Sequence, residues 1–124
     1  GESPHLTGYA LVRAGEGLPI NRREGFRYLS LAYRFKNRIA EPFMVTAPVQ
    51  PDAERCDIAL SNHPGQEMDH VISGDLRIVI HGHEEILHAG DTVYYDSSKP
   101  HGMVAVGGKP CVFLALVLGG TNKE

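Results

Sequence analysis

Ser61-Asn62-His63-Pro64-Gly65-Gln66-Glu67-Met68-Asp69-His70-Val71-Ile72-Ser73-Gly74 is the stretch on which the reading of this chain turns. His63 and Glu67 stand four residues apart with a Pro-Gly pair between them. A straight strand would hold two such side chains about 13 Å apart, whereas a turn brings them together. An imidazole nitrogen and a carboxylate oxygen that converge suit a divalent transition metal. Residues 68–72 read as the strand that follows the turn. On it Asp69 shares the parity of Glu67, and His70, at an odd offset, falls on the opposite face. Ser61 has the inward parity of His63, so Ser61 and Asp69 are candidates for lining a cavity or supporting a ligand.

Working outward, the composition favours strands joined by tight turns. The 124 residues include 14 glycines and eight prolines, an excess that helix interiors would not tolerate. Residues 27–35 alternate, with Leu29, Leu31, Tyr33 and Phe35 on one side. Residues 9–13, 42–49, 56–61, 75–81, 85–88, 92–95, 102–106 and 110–118 are further strand candidates, and residues 19–24 admit a helical turn. His81-Gly82 reads as a hairpin tip. The run from Cys111 to Leu118 is apolar on both faces, which predicts a strand in mid-sheet covered on both sides, with a helix as the competing assignment. About ten short strands in one small domain predict a jelly roll, two sheets closed into a barrel that can hold one ligand. We place an N-terminal arm and first strand in residues 1–25, the barrel in 26–118 and a tail in 119–124.

Charge and cysteine content narrow the function classes. The net charge is −3, divided into a basic first part and an acidic second part. The basic residues are interspersed with apolar ones, as on a solvated strand face or a dimer contact, and direct nucleic-acid binding is not expected. No run of about 20 apolar residues is present, so no membrane span is expected. The start of the chain has no signal-peptide pattern, and its lack of a methionine fits processing, a tag scar or excision from a longer chain. Cys56 and Cys111 are widely spaced among apolar neighbours, as in reduced thiols of a cytoplasmic protein.

A second motif, Gly90-Asp91-Thr92-Val93-Tyr94-Tyr95-Asp96-Ser97-Ser98-Lys99-Pro100-His101-Gly102, begins about 30 residues after the first. Its His101 could add a third ligand to His63 and Glu67. Tyr94 and Tyr95 must face opposite ways, and we place Tyr94 in the cavity. Met103 shares the face of His101 and reads as pocket wall. His81, His83 and His88 sit on a hairpin tip and its return strand and read as surface residues.

Together the two motifs resemble those of the cupin family. The family's first motif, Gly-x5-His-x-His-x3,4-Glu-x6-Gly, is matched at His63, Glu67 and Gly74. Its second, Gly-x5-Pro-x-Gly-x2-His-x3-Asn, is matched at Gly90 and His101. The wording from Asp96 to Gly102 is similar to that of small cupins found alone or behind a helix-turn-helix domain. Departures stand beside the matches. Ser61 takes the place of the first family histidine and Arg55 that of the first glycine, while Asp96, Ser98 and Ala105 replace the second motif's proline, glycine and asparagine.

The resemblance implies an all-β double-stranded β-helix, a jelly-roll barrel with a divalent-metal site made of His63, Glu67 and His101. Three ligands with open positions describe a non-haem Fe(II) site or a catalytic zinc. Fe, Zn, Mn and Ni are all compatible, and the same residues could instead line a metal-free pocket. Two functions follow as expectations. One is a metal-dependent enzyme of oxygenase or isomerase type acting on a small molecule. The other is a non-catalytic metabolite-sensing module related to the effector domain of transcriptional regulators. A homodimer is expected on either reading, because unpaired sheet edges need cover.

Overall fold

A computed structural model describes residues 8–119. Nine strands build it, and the described residues contain no helix. They are β1 (Leu18–Ile20), β2 (Arg27–Ser30), β3 (Ala40–Ala47), β4 (Gln66–Ser73), β5 (Asp75–Ile80), β6 (His83–Leu87), β7 (Thr92–Asp96), β8 (His101–Val106) and β9 (Cys111–Leu118). A six-stranded sheet has the order β1-β2-β3-β9-β4-β7, and a three-stranded sheet the order β6-β5-β8. Neighbouring strands in both sheets run antiparallel. The sequence-distant neighbours β3, β9 and β4 give the jelly-roll connectivity expected from the sequence.

Alternation decides what lies between the sheets. Phe43, Val45 and Ala47 of β3, Val71 of β4, Leu76 and Ile78 of β5, and Phe113, Ala115 and Val117 of β9 meet in one core. At about 25 cal/mol per Å² of apolar surface removed from water, this burial is the dominant force closing the barrel. The β5–β6 hairpin turns in two residues, His81 at φ 51° and Gly82 at φ 82°. Positive φ at both positions is the geometry that matches the twist of two paired strands.

Several expectations are corrected. Residues 9–13 form no strand, and the N-terminal pairing begins at Leu18, where β1 meets β2. Residues 19–24 contain no helical turn: Pro19 and Ile20 pair with Leu29 and Tyr28, and the chain then bends over residues 23–25. The strand at 27–35 stops at Ser30 because the chain must reverse into β3. Phe35 N donates to Ala32 O at 3.0 Å, and Asn37 takes φ 57°. Residues 56–61 form no strand, only an isolated bridge between Ser61 and His101.

The both-sides-covered strand is also displaced. β9 alternates between buried and half-buried residues, whereas all six residues of β8 are buried. Met103 and Ala105 of β8 face the main core, and Val104 and Val106 pack on Ala53, Cys56 and Ile58. Arg77 fastens this cover by donating from Nη1 to the carbonyls of Ala53 and Cys56, each at 2.9 Å. Gly102 is therefore a site of close approach and not a turn, since a Cβ there would collide with the Ala59 carbonyl.

Candidate metal centre in the barrel

The strap formed by residues 58–63 brings the first motif onto the second. Ser61 and His101 exchange both backbone hydrogen bonds at 2.9 Å, and His63 N donates to Ser97 O at 2.9 Å. Gly65, at φ 101°, then turns the chain into β4 against the backbone of Leu118 and Gly119. Glu67 is thereby aimed inward, 7% exposed, and His101 lies at the start of β8, 1% exposed.

His63, Glu67 and His101 converge, each offering a ligand atom within 4.8 Å of the others. The two imidazole rings meet edge to face with centroids 5.2 Å apart. His101 Nδ1 lies 2.9 Å from the Lys99 carbonyl. A carbonyl only accepts, so Nδ1 carries the proton and the Nε2 lone pair is left for the cavity. Burial lowers the pKa of His101, which keeps that lone pair available.

His63 sits between two acceptors. Its Nδ1 faces the Pro64 carbonyl at 3.4 Å, and its Nε2 lies 3.0 Å from Glu67 Oε1. Both partners are acceptors, which an imidazolium serves from its two N–H groups and a neutral imidazole from one. His63, Glu67 and His101 would hold a divalent ion, with the neutral His63 ring keeping its one N–H for the Pro64 carbonyl. The donor set thus fits a divalent transition metal.

Glu67 is the ionised member of a carboxylate pair. Burial pushes its pKa up, but hydrogen bonding to His63, Asp69 and Tyr95 outweighs this and holds it at about 2. Asp69 is fully buried, and burial together with the Glu67 charge raises its pKa well above the usual range. Asp69 therefore holds the proton. Its Oδ2 accepts from the Tyr95 hydroxyl at 3.1 Å, while Oδ1 has no hydrogen-bond partner.

Tyr94 is a correction. It is 56% exposed on the outside of β7 and donates to Gln66 Oε1 at 2.5 Å. Register explains it, since Tyr95 pairs with inward Glu67 and Tyr94 with outward Met68. Tyr95 is the buried one, its ring 5.0 Å from that of His101. Ser61 and Met103 line the cavity, whereas Asp69 sits behind Glu67 and off the cavity wall. His70 points outward to Thr92 Oγ1 at 2.7 Å.

The cavity above the cluster is half-open and has a volume of about 470 Å³. Its walls include residues that sequence reasoning missed. Arg22 and Arg23, in the loop after β1, reach over the opening, and Arg23 Nη2 donates to Ser61 Oγ at 3.0 Å. No spacing rule ties that loop to a motif about 40 residues away, so only a basic pair between two strands could have drawn attention to it.

Comparison with known proteins agrees with this architecture. No curated protein sequence matches the chain. Among solved structures, the iron(II) complex of HppE with the alternative substrate (S)-1-HPP aligns over 90% of this chain and 61% of its own, at 19% identity and TM-score 0.74. DMSP lyase DddQ from Ruegeria pomeroyi aligns over 68% of this chain and 41% of its own, at 22% identity and TM-score 0.57. An HTH_3 family transcriptional regulator from Vibrio cholerae aligns over 75% of this chain and 50% of its own, at 21% identity and TM-score 0.60. The chain thus spans about three-fifths or less of the length of these structures, and the likeness is one of fold. The family model described as "Cupin domain" matches residues 49–117, more than half of the sequence and both motifs. With that match and a jelly roll whose two motifs meet at one inward cluster, the chain belongs to the cupin family.

Proposed function

We propose that this cupin binds a divalent transition metal through His63, Glu67 and His101 and acts on a small molecule in the cavity above it, as a metal-dependent enzyme of oxygenase or isomerase type. The observation that carries the reading is the convergence of His63, Glu67 and His101, whose ligand atoms lie within 4.8 Å of one another, with the Nε2 lone pair of His101 free toward the cavity. Two imidazoles and one carboxylate on one side of an open cavity favour iron(II), with Zn, Mn and Ni as competitors. The ion would supply Lewis acidity, or oxygen activation if it is iron. The chain's own residues do the rest. Glu67 stays ionised, Asp69 and Tyr95 hold its carboxyl group in place from behind, and the Lys99 carbonyl fixes the tautomer of His101. The structural neighbours iron(II) HppE and DMSP lyase DddQ support an enzymatic use of this fold.

Metal content of protein purified without a histidine tag tests the site, with H63A and H101A alongside. Stoichiometric metal lost in both variants is expected. Wild-type protein that stays metal-free after loading with Fe(II), Zn, Mn and Ni overturns the reading. A metabolite-sensing module is the second reading, favoured by the neighbour that is a transcriptional regulator; ligand binding without turnover would select it. For both we propose a cytoplasmic homodimer. The half-buried Met44, Leu114 and Leu116 on the outer face of the larger sheet support pairing, which sedimentation velocity checks.

A further inference from the structure

We propose that Arg22 and Arg23 form an oxyanion-binding subsite at the mouth of the barrel, so that the small molecule taken by the cavity is an organic acid with a carboxylate or phosphonate-type head. This deepens the reading above and names the substrate class for the same cavity. It rests on that reading only for what the far end of the ligand meets.

Arg22 is stacked on the cavity wall. Its guanidinium carbon lies 5.1 Å from the centroid of Phe43 and 5.9 Å from that of Tyr28, both of them buried rings. A guanidinium laid over an aromatic face keeps its N–H edge free, and that edge matches two oxygens of one oxyanion. Arg23 is held by its neighbours on the strap. Nη2 donates to Ser61 Oγ at 3.0 Å and Nη1 to the Ala59 carbonyl at 3.3 Å. Tyr28 is a further hydrogen-bond partner, and a guanidinium has five N–H donors for these three groups. Ser61 is also bridged to His101, so Arg23 stands one residue from the metal cluster.

Neither guanidinium has a carboxylate within ion-pairing distance among the described residues, whereas Arg38 pairs with Glu41 and Arg77 with Glu84. The acidic groups facing the same cavity are Glu24 and Glu67. Glu67 is committed to His63. Two adjacent cations, one stacked and one tethered, therefore stand over the cavity without an ion-pair partner among the described residues. A volume of about 470 Å³ accommodates a small organic anion lying between them and the cluster.

The test is calorimetric titration of the full chain, metal-free and zinc-loaded, with butyrate, butylphosphonate and neutral 1-butanol. We expect both anions to bind the metal-free wild type better than the alcohol, and the tighter of the two identifies the head group. R22Q and R23Q should each weaken anion binding about tenfold, and R22Q/R23Q should abolish it. R34Q, whose arginine stacks on Tyr33 away from the cavity, should leave it unchanged. Thermal melts establish that the double variant is folded, and its zinc content should equal that of wild type. Anion affinity unchanged in the double variant, or no preference for anion over alcohol in the metal-free wild type, overturns the proposal. A wild type that takes up no metal yet binds anions through the arginines refutes the metal reading and leaves this one standing.

Discussion

Two groups of histidines in this molecule invite comparison. His81, His83 and His88 lie within eight residues of one another, on the β5–β6 hairpin and just after it, and all three are exposed. His63 and His101 are 38 residues apart, yet their rings lie 5.2 Å apart beside a buried carboxylate. The first group is near in sequence yet forms no three-ligand cluster among the described residues. His81 occupies the positive-φ turn position, and His88 is taken up by Asp75 at 2.7 Å. The second group is convergent because the strap and β8 are clamped by paired backbone bonds. Metal-ligand density along the chain is thus a poorer guide than which strands face one another across the barrel.

The largest effect should come from H101A, which removes an inward ligand and empties a packed position. Metal affinity should fall by more than about 100-fold, beyond the usual loss for a merely supporting residue. The surface variant H81N/H83A/H88A should keep full metal content by elemental analysis. Metal lost from the surface variant and retained by H101A would invert the comparison.

G102A should come next. Its Cβ would press on the Ala59 carbonyl, displacing the strap that carries Ser61 and His63. A destabilisation of about 1–3 kcal/mol is expected, visible as a lower urea midpoint, together with weaker metal binding. Unaltered metal binding in a destabilised G102A would mean that the strap does not position His63.

Asp69 gives a smaller, pH-dependent effect in the metal-free protein. Its folded pKa is raised, so the native state binds more protons than the unfolded chain above the ordinary aspartate pKa. Its contribution is fully present below that pKa and is lost as pH rises through the folded value. A tenfold difference in proton affinity between the folded and unfolded chain is worth about 1.4 kcal/mol. D69N should therefore lose less stability than wild type as pH rises above the ordinary aspartate range in urea melts, and parallel profiles would refute the assignment of the proton. Glu67 acts oppositely, its contribution lost as pH falls toward about 2.

The smallest effect should be at the surface. D75N removes the exposed Asp75–His88 pair, and no measurable change in melting temperature is expected, since such pairs are screened by water. A clear drop would show that the hairpin histidines carry more structure than their exposure indicates.

Much of the barrel was legible in the sequence because alternation and turn chemistry are local. Residues 75–81 read as a strand from their alternation, and His81-Gly82 read as a tip from residue type. The three-residue cluster was reached through motif spacing and a resemblance, not through alternation alone. What could not be read depended on partners distant in sequence. Tyr94 and Tyr95 differ only by parity, and the register against β4 that settles it is a tertiary fact. Likewise β8 is covered on both faces only because residues 53–58 fold back over it, held by Arg77. Arg22 and Arg23 sit in a loop, where no periodicity applies, and their placement follows from the β1–β2 pairing.

The edge-on contact between Tyr95 and His101 has an optical consequence. The chain has five tyrosines and no tryptophan, so its near-ultraviolet emission comes from tyrosine alone. One emitter lies 5.0 Å from an imidazole aimed at the cluster. A paramagnetic ion such as Co(II) or Ni(II) captured there should quench that emission at short range, whereas diamagnetic Zn(II) should leave much of it intact. The barrel thereby carries its own indicator, and Y95F would identify the residue that reports.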